Sequence, residues 1–294
     1  MTNISELASF LTHLHEKHRS NDEGEVATYI PELGKANPDH FGISMVTVDG
    51  QEFSVGDVAE EFTIQSICKP LAFLMALEQH GRDKTLSHVG IEPSGDAFNS
   101  VELCPKVKRP FNPMVNAGAI ATASLIKGES AEAGVAAFVE RLSRAAGRPL
   151  RVDGDVYASE SSTGNRNRAI AYLLRNFDVI DEHVDHTLHQ YFAQCSVLVN
   201  CRDLAAIGAT LANVGENPQT HTEVFDAFCV RDALAAMFTC GMYDYAGEWA
   251  FRVGMPAKSG VAGGIMAVVN RQMGIAVYSP RLDARGNSVR GIKV

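Results

Sequence analysis

Apolar residues recur along this chain with two different periods, and the change of period divides it into three stretches. Near the start, Ile4, Leu7, Leu11 and Leu14 return at helical spacing with His and Glu between them. That pattern predicts an amphipathic helix over 4–18 packed on a sheet. Residues 21–38 read as loop around a short apolar segment at 29–33. The run 41–48 reads as a strand, Asp49-Gly50 as a two-residue turn and 51–55 as the returning partner. At 62–70 the chain runs from a strand or loop end into a buried helix that stops near Gly81, a residue suited to a left-handed cap. A loop follows over 86–113. Helical patterns then occupy a segment from about Asn116 to Lys127, 130–146 closed by Gly147, 167–177, 185–193, 202–214 and 224–240. The tail returns to short apolar runs at 250–253, 264–269 and 273–278, with Asn270-Arg271-Gln272 turning the last two into a hairpin.

Strands at both ends of a helical middle predict an α+β fold with one antiparallel sheet drawn from both chain ends. The expected division is one catalytic domain over 1–294, with an α/β lobe of about 1–65 and 245–294 and an all-helical lobe of about 66–244. A length of 294 residues suffices for such a core, and 46% hydrophobic with 21% charged residues is an ordinary globular balance. The net charge of −9, with nothing basic beyond Lys106-Val107-Lys108-Arg109, argues against nucleic acid or an anionic membrane as partner. Cys68, Cys104, Cys195, Cys201, Cys229 and Cys240 form no Cys-x-x-Cys pair, and several fall in apolar helical runs. They read as reduced thiols of a cytoplasmic protein. No basic stretch with an apolar core opens the chain, and no apolar run reaches about 18 residues, so neither a signal peptide nor a membrane span is expected.

The chemistry enters at Ser66-Ile67-Cys68-Lys69. Residues i and i+3 of a helix share a face, so this hydroxyl and amine can touch. A serine hydroxyl needs a proton acceptor to become a nucleophile, and burial at a helix N-terminus disfavours the charged form of the lysine that would serve. The same helix end offers N–H groups to an oxyanion. The pattern repeats as Ser124-Leu125-Ile126-Lys127, and a single copy reads most simply as a capping serine with a solvated lysine. A second signal is Lys258-Ser259-Gly260 in a glycine-rich stretch, since Lys-Ser/Thr-Gly accompanies Ser-x-x-Lys in serine acyl transferases. By residue type alone, Glu160 reads as a loop acid or cap, Asn116 as a helix cap, and Tyr29, Tyr191 and Tyr243 as partly buried core. His183, His186 and His189 stand three apart and read as a solvated helix face before a metal site. Trp249 reads as core, and 260–264 lacks the strand–turn–helix setting of a dinucleotide loop.

Taken together, the stretches 62–70, 112–118, 160–167, 191–196, 241–244 and 256–264, with 287–291 near the end, resemble the short bacterial form of the glutaminase family, within the serine-dependent β-lactamase-like superfamily. The resemblance spans about Tyr29 to the C-terminus. It implies hydrolysis of L-glutamine to glutamate and ammonia through a seryl acyl-enzyme, with no metal or organic cofactor. It implies Ser66 as nucleophile, Lys69 as proton acceptor and Tyr243 as proton shuttle. The N–H groups of Ser66 and Val261 would hold the oxyanion, with Lys258 and Ser259 in the catalytic set. Tyr29, Asn116, Glu160, Asn167 and Tyr191 would bind the amino-acid end of the substrate. It also implies a homo-oligomer, tetramer or dimer. Two rivals stand beside it: a β-lactamase or peptidoglycan DD-peptidase on the same fold, which would require export, and a non-catalytic amino-acid-binding protein, which would have no use for an activated serine.

Overall fold

The structure, a computed structural model, describes residues 4–95 and 99–294; the side chains of Ile4 and Ser5 lie outside the described residues, as do Asp96, Ala97 and Phe98 of the predicted 86–113 loop. In chain order the elements are α1 (Ile4–His18), β1 (Gly42–Thr47), β2 (Glu52–Gly56), β3 (Phe62–Thr63), α2 (Cys68–His88), α3 (Asn116–Ala123), α4 (Ala131–Ala146), β4 (Arg151–Val152), α5 (Gly154–Thr163), α6 (Asn165–Asn176) and α7 (Val184–Cys195). They continue with β5 (Val197–Val199), α8 (Cys201–Ala212), β6 (Glu216–Asn217), β7 (Thr222–Glu223), α9 (Ala227–Cys240), α10 (Ala246–Arg252), β8 (Ala257–Ser259), β9 (Gly264–Val269), β10 (Met273–Tyr278) and α11 (Val289–Lys293).

The main sheet has the order β2-β1-β10-β9-β8 and is antiparallel throughout, so the two ends of the chain meet in it as expected. Gly42 faces Tyr278 and Thr47 faces Met273. Alternate residues of a strand point to opposite faces, and each face has its own cover. Ile43, Met45 and Val277 pack with Leu11 of α1, Phe41 and Phe53, while Ile265 and Ala267 pack with Trp249 and Ala246 of α10. On the other face, Val46, Ala276, Met266 and Val268 belong to the large core that contains α8. A side chain on Gly274 would place its Cβ 2.1 Å from the Ala209 nitrogen, so the missing side chain lets α8 press directly on the sheet.

Four expectations need correction. The run 250–253 is no strand: it falls in and just after α10, and the third C-terminal strand is Ala257–Ser259. Buried Ala246 and Trp249 share a helical face with Phe251 exposed, a period too short to read from four residues. The middle is not purely helical, because β3, β5 and β4 form a small sheet and β6 pairs with β7. Glu160, read by residue type as a loop acid or cap, instead lies within α5, started by the Asp153 carboxylate accepting from the Asp155 and Val156 N–H groups. The α2 run breaks at Gly81, with φ 75°, but a short helical segment continues to His88. By contrast, α4 begins at a Ser130 cap and ends at left-handed Gly147 as expected.

Candidate active site

The Ser66 turn is set by pairing on its upstream side. β3 pairs with β5, and the Ile64 N–H extends that ladder to the Val197 carbonyl at 2.8 Å. The chain then turns sharply through Gln65, at φ 49°, into a 3-10 turn over Gln65–Ile67 that feeds α2. A non-glycine residue at positive φ is costly, by about 1–3 kcal/mol, and here it sits one residue before the candidate nucleophile. Pro70 falls in the first turn of α2, where its missing N–H has no helical partner to lose. Ser66 is 7% exposed, and its hydroxyl lies near that of Tyr243, whose ionisation it favours.

Lys69 is fully buried. Its Nζ donates to Asn116 Oδ1 at 2.6 Å and to the Met114 carbonyl at 3.2 Å. Among the described residues no hydrogen bond joins it to Ser66, which departs from the expected i,i+3 contact. The 3-10 turn that carries Ser66 and the α-helix that carries Lys69 do not share one helical register, and the two carbonyl oxygens hold the ammonium. Burial lowers the Lys69 pKa to about 8, so a neutral amine is accessible near neutral pH.

Around this pair lie the polar groups expected at the substrate's amino-acid end. Asn116, the first residue of α3, donates from Nδ2 to Asn167 Oδ1 of α6 at 3.0 Å. Its carbonyl oxygen is thus free to face Lys69. Glu160 of α5 is 6% exposed, and burial raises its pKa to about 7, against the opposing effects of Gln65 and the Lys69 charge. Tyr191 of α7 is buried, and its hydroxyl is held in the neutral form by desolvation. Tyr29 has over half its surface exposed, yet its hydroxyl is raised by burial and by nearby Tyr243 and Glu160, which places the polar end toward the site. Tyr29 and Val261 also line an open groove of about 840 Å³ that reaches the surface past Glu25 and Arg285.

Tyr243 forms the opposite wall. Its φ is 59°, and its hydroxyl donates to the Ser259 carbonyl at 2.9 Å. With its proton directed there, the phenol oxygen is left to accept from Ser66. Lys258 lies behind, Nζ 4.0 Å from the Tyr243 ring centre and donating to the Ser259 and Gly241 carbonyls at 2.8 and 2.9 Å. Burial and the Lys69 charge push its pKa well down. Lys258 and Ser259 have no exposed surface. Gly260 then passes over the Ser66 turn, where a Cβ would meet the Ile64 carbonyl at 2.9 Å.

The other candidates disperse. Ser124 Oγ donates to the Ala121 carbonyl and Lys127 Nζ to the Gln79 carbonyl, so the second Ser-x-x-Lys closes a helix end. His183 stacks on His186, His189 bonds the Tyr157 hydroxyl, and among the described residues no group of three His, Cys, Asp or Glu could hold a metal. Trp249 is core. Four residues at the site escaped sequence reasoning. Gln65 donates to Thr63 Oγ1 at 3.1 Å and contacts Glu160; the Met114 carbonyl holds Lys69; Cys68 and Cys195 touch under the site. A backbone carbonyl and a positive φ leave no trace in residue type, and the thiols had been read only as inert core.

A family model described as Glutaminase matches residues 24–294. The Glutaminase of Trichormus variabilis is 57% identical over 290 residues, covering 99% of this chain and 87% of that one. Among solved structures, the probable glutaminase ybaS matches with a TM-score of 0.94 at 39% identity, covering 99% of this chain and 94% of that chain. Mglu in its glutamate form matches with a TM-score of 0.93 at 41% identity, covering 97% of this chain and 66% of that chain.

Proposed function

This chain belongs to the glutaminase family, and from that premise we propose that it hydrolyses L-glutamine to L-glutamate and ammonia through a seryl ester on Ser66. The neutral Lys69 amine takes the Ser66 proton as the oxygen attacks the carboxamide carbon. The N–H groups of Ser66 and Val261 receive the oxyanion. Tyr243, between Ser66 and the Ser259 carbonyl, gives a proton to the leaving nitrogen and takes the one held by Lys69, so ammonia departs and Lys69 is neutral again. Water then attacks the ester, Lys69 takes its proton and passes it to the Ser66 oxygen as the intermediate collapses, which frees Ser66, glutamate and the neutral amine. Glu160 as carboxylate pairs with the substrate ammonium, while Asn116, Asn167, Tyr191 and Tyr29 direct donors at its carboxylate. Lys258 and Ser259 act by fixing Tyr243 from behind. The observation that supports this reading most directly is a fully buried lysine, held by the Asn116 and Met114 oxygens and lowered in pKa, three residues from a buried serine beside a tyrosine.

Ammonia release from glutamine and asparagine, by the wild type and Ser66→Ala, tests it. Ser66→Ala should lower kcat roughly 10⁴-fold or more, because the nucleophile and its base act as a unit. Near-full turnover by that variant would remove Ser66 from the mechanism. Fast hydrolysis of a chromogenic β-lactam in place of glutamine would favour the β-lactamase alternative.

A cytoplasmic homo-oligomer, dimer or tetramer, is the proposed state; the six free cysteines support the reducing compartment. Among the described residues no helix is long and apolar enough to cross a membrane. Light scattering of the purified chain reads the assembly directly.

A further inference from the structure

Both oxygens that hold Lys69 belong to one short segment, and one buried side chain organises it. The Met114 carbonyl and Asn116 Oδ1 accept from Lys69 Nζ at 3.2 and 2.6 Å. Two residues before Met114 stands Asn112, 2% exposed. Its Oδ1 accepts from the Met114 N–H at 3.0 Å, across Pro113. This is an Asx turn, in which the asparagine side chain takes the place of a backbone carbonyl. Pro113 has no N–H to give, so the Asn112 side chain supplies the tie at this point. Its Nδ2 donates to the Glu92 carbonyl at 3.0 Å. There it extends a short ladder, in which the Gly90 and Glu92 N–H groups donate to the Pro110 and Phe111 carbonyls at 2.9 and 3.0 Å. The Asn112 carbonyl lies against Gly118 in the first turn of α3, where a Cβ would come within 1.9 Å.

Asn112 thus reaches Glu92, Met114 and α3 at once. We propose that Asn112 is a positioning residue for the reaction: its side chain closes the turn that presents the Met114 carbonyl, and with it Asn116 at the head of α3, to the Lys69 amine. This rests on the reading of Lys69 as proton acceptor given above. The hydrogen bonds of the Asn112 side chain go to backbone groups of Glu92 and Met114, so its effect on the reaction passes through the base. An ammonium held by two oxygens is favoured in its charged form, and loosening that hold disfavours the charge. It also lets the amine leave the line of the Ser66 proton, and small displacements at a reacting centre are costly. Glu160, Lys258 and the thiols of Cys68 and Cys195 are the titratable groups whose charge reaches Lys69, and none of them lies on 112–116. A shift of the Lys69 titration on changing Asn112 therefore reports on the oxygens of that segment.

Asn112→Ala tests this against Asn112→Ser, whose hydroxyl can accept from the same N–H. The readouts are kcat for glutamine, by ammonia release, and the Lys69 titration, followed through the ε-carbon NMR signal of lysine-labelled protein and assigned with Lys69→Met. Asn112→Ala should lower kcat roughly thirtyfold and move the Lys69 titration to lower pH by at least about half a pH unit. Asn112→Ser should keep kcat within about threefold of wild type and the titration within about 0.2 pH unit. If the alanine variant does not fold, Asn112→Cys takes its place, being close to serine in shape but a much weaker acceptor. A Lys69 titration that moves less than this in Asn112→Ala or its substitute would make Asn112 plain packing and overturn the proposal, whatever happened to kcat. An upward move would overturn it too, since water reaching the amine, and not lost acceptors, would be its cause. So would an unchanged kcat, or an Asn112→Ser variant that matches Asn112→Ala. If the wild type released no ammonia from glutamine, the hydrolytic reading would fail, while the Lys69 titration still decided whether Asn112 sets the hold on that amine.

Discussion

Two buried titrating groups dominate the site at the scale of single residues, and the proposed mechanism needs both in the deprotonated form, which burial brings close to neutrality for each. Glu160 must lose its proton to receive an ammonium, and burial has raised that step to about pH 7. Lys69 must lose its proton to act as base, and burial has lowered that step to about pH 8. Both active forms are the deprotonated ones, so the sign is the same for each: kcat/KM rises as pH climbs through the two values. The expected profile of kcat/KM from pH 5.5 to 9 therefore has a steep acid limb that approaches slope two below about pH 7 and levels off above about pH 8. Glu160→Gln should raise KM strongly and reduce the limb to slope one, leaving the step near 8. A variant profile that keeps both steps would detach Glu160 from the lower one. The raised Glu160 pKa also means that ammonium binding draws a proton off the enzyme around pH 7, because the bound cation favours the carboxylate.

Among the secondary-structure elements, precision comes from places where a missing side chain lets backbones touch. A Cβ on Gly118 would lie 1.9 Å from the Asn112 carbonyl oxygen, so α3 rests directly on the loop before it and Asn116 is held against Lys69. Gly118→Ala should force these apart, lowering stability by about 1–3 kcal/mol and kcat/KM by roughly a hundredfold, since small displacements at a reacting centre are costly. Gly247 in α10 has nothing within 4 Å, and Gly247→Ala should leave activity intact and raise Tm slightly, alanine being the better helix former by up to about 1 kcal/mol. If thermal melts and rate assays put the two variants on a par, close backbone contact is not what aligns the site. This layer was partly readable from sequence. Elements with explicit end signals were, such as α4 between Ser130 and Gly147, and so was the hairpin of β9 and β10. α5 was missed because its polar residues show no apolar period, and tertiary packing buries Glu160 regardless. The candidates Ser66, Lys69 and the proposed substrate-end residues were picked out through spaced motifs. Their actual contacts were not, since Lys69 turns toward a backbone carbonyl and Ser66 toward a tyrosine far along the chain.

For the molecule as a whole, the sheet is the frame on which the rest is mounted, and α1 protects one side of it. Leu11 covers a cluster of Phe41, Ile43, Met45, Phe53 and Val277. Removing residues 1–18 should uncover that cluster, lowering Tm by many degrees and promoting aggregation and binding of hydrophobic dyes, since each large apolar side chain returned to water costs about 1.5–3 kcal/mol. A truncated chain melting within about a degree of the full one would show that α1 is dispensable. The pairing of β1 with β10 has a further consequence for biosynthesis. Domains generally acquire structure as they leave the ribosome, but here the first long strand must wait for the last one to be translated before it gains its neighbour. Tyr243 and Val261 also emerge long after Ser66. A nascent chain thus leaves β1 without its β10 neighbour until residue 278 has been made, with its early apolar strands in need of shelter for the duration.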